Sequence, residues 1–132
     1  MVSPKELVGL AGDMRQRAYV PYSHYQVGAA LLCADGSVYT GCNIENAAYG
    51  PSICAERAAV CRAVCDGHTD FVSLAVISSG DAVCFPCGVC RQTLYEFNPE
   101  LKLFCSNSAG DFEEYTLAQL LPHAFGPKDL ET

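Results

Sequence analysis

The sequence predicts one α/β domain over residues 1–132, a five-stranded sheet with helices covering its faces. Three observations predict it. Strand-like and helix-like segments alternate in the order αββαβαββα. The 132 residues fit one compact domain and leave little room for two, and half of them are hydrophobic, so a real core can be buried. The last two strand-like runs are separated by only about five residues. A parallel pair needs a crossover of roughly a dozen or more, so these two strands are expected to be antiparallel.

Each element has its own signal. Ser3-Pro4-Lys5-Glu6 is a capping box, with Ser at the N-cap, Pro at N1 and Glu at N3. Leu7, Leu10, Ala11, Met14 and Ala18 follow at helical spacing, so the first helix is expected to run to about Tyr19. Pro21 closes the region. Gln26–Cys33 and Val38–Cys42 are short apolar runs, and Asp35-Gly36 between them is a hairpin turn signal. Residues 43–51 read as loop. An alanine-rich helix over residues 54–66 is stopped by Gly67. Val72–Ser79 reads as a buried strand, residues 80–86 as loop, and residues 87–97 as a helix ended by Asn98-Pro99. Leu101–Ser106 and Phe112–Thr116 are strands around a turn at residues 107–110, and Leu117–Leu121 is a short helix before a tail. There is no repeat, low-complexity stretch or linker.

Composition excludes several function classes. Eight basic against fifteen acidic side chains give a net charge of −7. A nucleic-acid binder needs a basic footprint, so this sign argues against one, and solubility is the simpler reading. No apolar run approaches the roughly 20 residues of a membrane span, and the N-terminus has no signal-peptide pattern. A cytoplasmic protein is expected. Nine cysteines are an odd number and cannot all pair within one chain. In a reducing compartment, clustered cysteines point to metal binding or catalysis rather than disulfides.

Two cysteine motifs stand at helix starts. Cys54-Ala55-Glu56 opens one helix, and Pro86-Cys87-Gly88-Val89-Cys90 opens another. If Val72–Ser79 lies parallel to the first strand, both helix N-termini meet at one edge of the sheet. Their dipoles then lower the thiol pKa values, and zinc binds thiolates. Three protein ligands leave the fourth tetrahedral position open for water, which is the catalytic arrangement rather than the structural one. A C-x-x-C alone also fits a redox dithiol. The two motifs together match zinc deaminases, in which a C-x-E or H-x-E precedes P-C-x-x-C and the Glu is not a ligand. Cys84-Phe85-Pro86-Cys87 is an overlapping C-x-x-C, and a closed four-cysteine structural site is the rival, though it leaves Glu56 without a role. Cys61 and Cys65 read as core packing on one helix face, and Cys33, Cys42 and Cys105 as small core residues in strands. His24, His68 and His123 have no ligand spacing and read as loop residues.

With these motifs the chain resembles the small homotetrameric cytidine deaminases, from about Ala18 to Leu130. The resemblance rests on Pro21-Tyr22-Ser23-His24-Tyr25, Val27-Gly28-Ala29-Ala30-Leu31, Gly41-Cys42-Asn43-Ile44-Glu45-Asn46-Ala47, Cys54-Ala55-Glu56-Arg57, Pro86-Cys87-Gly88-Val89-Cys90-Arg91-Gln92 and Leu120-Leu121-Pro122. Val89 stands where alanine is usual, Tyr25 stands where phenylalanine is common, and Cys84 and Phe85 crowd the Pro-Cys motif.

The resemblance implies a three-layer α/β/α sandwich with a mixed sheet, one zinc ion per chain on Cys54, Cys87 and Cys90, and deamination of cytidine and 2′-deoxycytidine in pyrimidine salvage. It implies that Glu56 takes a proton from the attacking water and delivers it to N3 of the pyrimidine. The Ala55 N–H would hold O2, Asn43 and Glu45 the ribose 3′-hydroxyl, and Tyr25 would pack on the nucleoside. Arg57 would donate hydrogen bonds to the thiolates. The resemblance also implies a homotetramer with shared sites, to which Phe125, Ala47 and Tyr49 come from neighbouring subunits. Plainer readings stand beside these. Asn43 could satisfy loop backbone, Tyr25 could be core, Arg57 a solvated helix residue, and Phe125 an anchor for its own tail. Two rival functions are a deaminase of bases in RNA or DNA, which the acidic charge opposes, and a zinc-stabilised module without activity, which Glu56 opposes.

Overall fold

The capping box forms. In the computed structural model, which describes residues 1–131, Glu6 N donates to Ser3 Oγ at 3.1 Å and Ser3 N donates to Glu6 Oε1 at 3.0 Å. Helix α1 spans Pro4–Arg15 and stops a turn short of the expected Tyr19. The reason is tertiary. Tyr19 N donates to Asn43 O at 3.0 Å and Glu45 N donates to Tyr19 O at 2.8 Å, so this stretch is committed to a short bridge with the loop around Ile44.

The strands are β1 Val27–Cys33, β2 Val38–Cys42, β3 Phe71–Ser78, β4 Lys102–Ser106 and β5 Phe112–Thr116, in spatial order β2-β1-β3-β4-β5. The β1–β2 hairpin closes at Gly36, which has φ +92 and donates to Cys33 O at 3.0 Å. Strands β4 and β5 are joined across residues 107–111, where Asn107 Oδ1 accepts from Ala109 N at 3.1 Å and Asp111 N at 3.0 Å. They pair antiparallel, with Phe104 opposite Glu114.

One premise of the sequence reading needs correction. Strand β3 is antiparallel to β1, with Ala29 opposite Val76, and its parallel partner is β4, with Leu74 opposite Leu103. The helix starts nevertheless share one sheet edge, for a different reason. Strands β2 and β3 both run antiparallel to β1 and therefore run the same way. Helix α2 (Ala55–Cys65) follows β2, and α3 (Gly88–Tyr95) follows β3, so both begin beyond the carboxyl ends of like-directed strands.

Helices cover both faces. Leu7, Val8 and Ala11 of α1 pack on Ala30, Leu32, Ala75, Ile77 and Phe104. On the other face, Ala55, Ala59, Val60 and Ala63 of α2, Leu94 of α3 and Leu117 of α4 (Leu117–Leu120) pack with Ala29, Leu31, Leu74, Val76 and Leu103. Alternate strand residues thus enter alternate cores, and β1 is buried at every position. Gly41 sets the height of α2. A Cβ there would lie 2.5 Å from both Ala55 O and Ala59 N, so only glycine lets the first turns of α2 rest on β2.

That contact also sets the rotation of α2, and it overturns the reading of Cys61 and Cys65. The buried stripe is Ala55, Ala59, Val60 and Ala63, which leaves both cysteines exposed. Cys33 and Cys105 are buried as expected, and Cys42 is half-buried. His68 Nδ1 lies 3.5 Å from Asp35 Oδ2, while His24 and His123 sit in loops at φ +58 and +53. The tail contains a short 3-10 turn, Pro127–Leu130. Among the described residues no helix is long and apolar enough to cross a membrane.

Candidate active site

Cys54 and Cys87 are the N-cap residues of α2 and α3, both with extended backbone. Neither side chain caps its helix. Sulfur is a weak acceptor, so the thiols are free to meet each other. Cys54 Sγ and Cys87 Sγ are 3.8 Å apart, and Cys87 Sγ and Cys90 Sγ 3.7 Å. All three sulfurs lie within 4.8 Å of one another. A disulfide needs about 2.05 Å, so these are free thiols. Two sulfurs bound tetrahedrally to zinc at about 2.3 Å each stand about 3.8 Å apart. The observed spacings match that edge, and soft sulfur donors suit zinc, so the site fits the ion. Cys84 is not in the group, which removes the closed four-cysteine alternative.

The electrostatics favour thiolate at one corner. The Cys54 thiol is drawn down to about 5, chiefly by a hydrogen bond from Cys90, with Arg57 and Cys87 helping against burial. Cys90 moves upward, because it donates to Cys54 and is buried beside the Glu56 carboxyl. Arg57 Nη2 donates to Cys54 Sγ at 3.5 Å, and that bond raises the guanidinium above its ordinary value. Arg57 Nε is buried and finds no acceptor among the described residues, so sulfur rather than solvent orients this side chain.

Glu56 follows Cys54 on the first turn of α2 and is only 4% exposed. Burial pushes its carboxyl up to about 7, and the charge of Cys54 pushes in the same direction. Glu56, Cys54 and Cys87 line one cavity of about 290 Å³ together with Tyr25, Val27, Asn43, Ala55 and residues 83–85. A larger hollow of about 560 Å³ on the outer face of α3, lined by Val89, Thr93 and Phe97 among others, contains no thiol and no buried carboxyl. The chemistry therefore belongs to the smaller cavity. Arg91 holds the approach to α3, donating from Nε to Pro86 O and from Nη1 to Leu120 O, each at 2.7 Å.

The remaining residues singled out by the sequence divide into two groups. Asn43 is at the cavity, and its carboxamide braces backbone: Val27 N donates to Oδ1 at 2.9 Å and Nδ2 donates to Tyr25 O at 2.8 Å. Glu45 is not among the lining residues, and its Oε1 accepts from Tyr22 N at 3.0 Å and Ser23 N at 3.1 Å. The bonds from Ser23, helped by Tyr22 N, hold the Glu45 carboxyl below its ordinary value against the opposing effect of burial. Both residues therefore fix the segment that carries Tyr25. Ala47, Tyr49 and Phe125 are not brought to the cavity within this chain. All three are exposed, Tyr49 at 77% and Phe125 at 59%. Val27 and Val83 line the cavity without having been singled out from the sequence, while Cys84 and Phe85, which crowd the Pro-Cys motif, line it as well. For Cys84 and Phe85 the signal was present in their position directly before Pro86-Cys87.

Comparison with known proteins bears on the same point. A family model described as the cytidine and deoxycytidylate deaminase zinc-binding region matches residues 1–105. The cytidine deaminase of Sporosarcina psychrophila is 48% identical over 127 residues, 96% of this chain and 93% of the relative. The crystal structure of cytidine deaminase from Burkholderia pseudomallei superposes with a TM-score of 0.90 at 40% identity, covering 94% of this chain and all of that one. The structure from Mycobacterium tuberculosis superposes with a TM-score of 0.84 at 42% identity, covering 96% and 99%. Likeness at this level, over nearly the full length of each pair of chains, places the protein: it belongs to the zinc-dependent cytidine deaminase family.

Proposed function

We propose that this chain catalyses the hydrolytic deamination of cytidine and 2′-deoxycytidine to the uridine nucleosides and ammonia. The observation that carries the reading is the position of Glu56, a buried carboxyl with its pKa near 7, on the wall of a cavity shared with the zinc-spaced thiols. Zinc held by Cys54, Cys87 and Cys90 supplies Lewis acidity, which lowers the pKa of water towards about 7. Glu56 accepts one proton from the attacking water and passes it to N3 of the pyrimidine. The water oxygen bonds to C4. Glu56 then moves the second proton to the exocyclic amine as the C4–N4 bond breaks and ammonia leaves. A carboxyl poised near neutrality can both take and return a proton.

Other groups hold the substrate. The Ala55 N–H is at the first position of α2, where no intrahelical acceptor exists, and is available for O2. Asn43 Nδ2 has a second hydrogen and Glu45 a second carboxylate oxygen, which serve the ribose 3′-hydroxyl. The Tyr25 ring packs on the nucleoside. Three thiolates around a dication leave a net charge of about −1, and the Arg57 contact with Cys54 offsets it. The nine cysteines are free, which suits a cytoplasmic protein, and the single sheet suits one domain carrying the whole activity.

The test is absorbance loss with cytidine, deoxycytidine, free cytosine and single-stranded DNA. Both nucleosides are expected to react and the DNA to be inert. Ribose contacts help hold the ring in place, so cytosine should lose kcat as well as affinity, with kcat/KM at least roughly tenfold lower. Comparable kcat/KM for cytosine and cytidine refutes the ribose roles of Asn43 and Glu45. A DNA substrate that outpaces cytidine refutes the nucleoside reading.

The active form is a homotetramer whose sites are completed by Phe125, Ala47 and Tyr49 of neighbouring subunits. What supports this is the exposure of Tyr49 and Phe125, together with Tyr19, Tyr22, Ile44 and Val89, aromatic and aliphatic side chains that neighbouring subunits would cover. Light scattering should give four chains. Inactive Glu56→Gln protein co-refolded with impaired Phe125→Ala protein should then exceed either parent in activity, because some mixed sites combine an intact Glu56 with a neighbour's intact Phe125. A fully active monomer, or mixtures with no gain, rules out the shared site.

A further inference from the structure

We infer that the hydroxyl of Tyr25 is a positioning group of the cavity, moored on the thiol of Cys84 so that the ring keeps one orientation towards the nucleoside. The inference rests on the deaminase reading of this cavity. Tyr25 is fixed at three points. Its N–H donates to Ser23 Oγ at 3.0 Å, its carbonyl accepts from Asn43 Nδ2 at 2.8 Å, and its Oη reaches Cys84 Sγ at 3.9 Å. The first two fix the backbone and the third fixes the far end of the ring. Gly80 makes room for this arrangement. A Cβ there would stand 3.3 Å from Tyr25 Cε1 and 3.5 Å from Ser78 Oγ, so the ring edge lies directly over the Gly80 backbone.

Cys84 is suited to the task and to no other function in the site. It is only 7% exposed, lines the cavity, and lies outside the metal-spaced group. Burial pushes its thiol up to about 11, so it stands as a neutral acceptor rather than a nucleophile. Ser78 is fully buried beside it; its Oγ accepts from Gly80 N at 3.1 Å and also bonds the Tyr25 hydroxyl, so Ser78 and Cys84 together form the polar floor beneath the ring. A phenyl ring in place of Tyr25 would keep the packing surface and lose the mooring. The side chain would then be ordered only when substrate arrives, and that ordering costs affinity while leaving the chemical step alone.

The test is a double-mutant cycle read in both KM and kcat. Tyr25→Phe and Cys84→Val are each expected to raise KM for cytidine by roughly three- to tenfold, the range for one newly mobile side chain. Their kcat should stay within about twofold. The double variant should be no worse than Tyr25→Phe alone, because that variant already removes the hydroxyl contact with Cys84. Cys84→Ser, which restores an acceptor, should recover most of the loss. A merely structural role would lower Tm without this split. A second readout needs no substrate: NMR of ring-labelled tyrosine should show one Tyr25 conformer in the wild type and an averaged one in Cys84→Val. KM effects that multiply, or an unchanged KM in Tyr25→Phe, overturn the proposal. So does a Tyr25 ring equally ordered in wild type and Cys84→Val. A wild type that leaves cytidine unreacted, with the NMR difference intact, overturns the deaminase reading instead.

Discussion

Replacing Glu56 with Gln should lower kcat for cytidine by at least about 10²–10⁴-fold, the range for a positioned acid–base group. The upper part of that range is expected, because Glu56 serves both the attack on C4 and the departure of ammonia. Gln is nearly isosteric and keeps the neutral, hydrogen-bonding shape of a carboxyl that burial already drives towards protonation. It cannot give up or take back a proton. Fold and zinc content should therefore persist, as circular dichroism and metal analysis would show, while turnover disappears. A variant that retains more than roughly a tenth of kcat, a loss below the smallest in that range, would show that Glu56 is not the proton shuttle.

How far the sequence could carry this site depends on the range of each determinant. The Ser3–Glu6 capping box and the Gly36 turn are local and formed as read. The cysteine group was legible for a related reason: two short motifs each mark a helix start, although the starts share an edge because β2 and β3 both run antiparallel to β1, not because β3 is parallel to it. What failed was long-range. The end of α1 was decided by Asn43 and Glu45, which hold Tyr19 from another part of the chain. The direction of β3 relative to β1 follows from which strand the chain returns beside, and no short window contains that. Cys61 and Cys65 read as core because they fall on one helix face, seven and eleven residues after Cys54, but the Gly41 contact with Ala55 and Ala59 selects a different inner face. The cavity wall at residues 83–85 lies in a loop, where periodicity has nothing to report.

Cys87→Ala should abolish zinc binding and, with it, activity. Cys87 is the middle sulfur of the group, 3.8 Å from Cys54 Sγ and 3.7 Å from Cys90 Sγ. Its loss leaves two protein ligands where catalytic zinc sites have three. Loss of an outer partner alone costs about 10–100-fold in metal affinity, so loss of a direct ligand should exceed that. The Cys87 side chain makes no capping hydrogen bond, so a defect cannot be charged to a lost helix cap. Metal analysis should give one zinc per wild-type chain and a small fraction of that in Cys87→Ala. Cys61→Ala, on the exposed face of α2, should keep both metal and activity as the matched control. A wild type that is zinc-free and fully active would sink the assignment, as would Cys87→Ala protein with a full complement of metal. Chelation of the wild type carries the argument into stability. The starts of α2 and α3 meet at the thiols, with Cys54 Sγ 3.8 Å from Cys87 Sγ beside the raised carboxyl of Glu56, and zinc on the three sulfurs would tie the two starts together. Metal binding is then linked to folding, and Tm should fall on chelation and recover with added zinc. In Cys87→Ala, neither chelator nor zinc should move it.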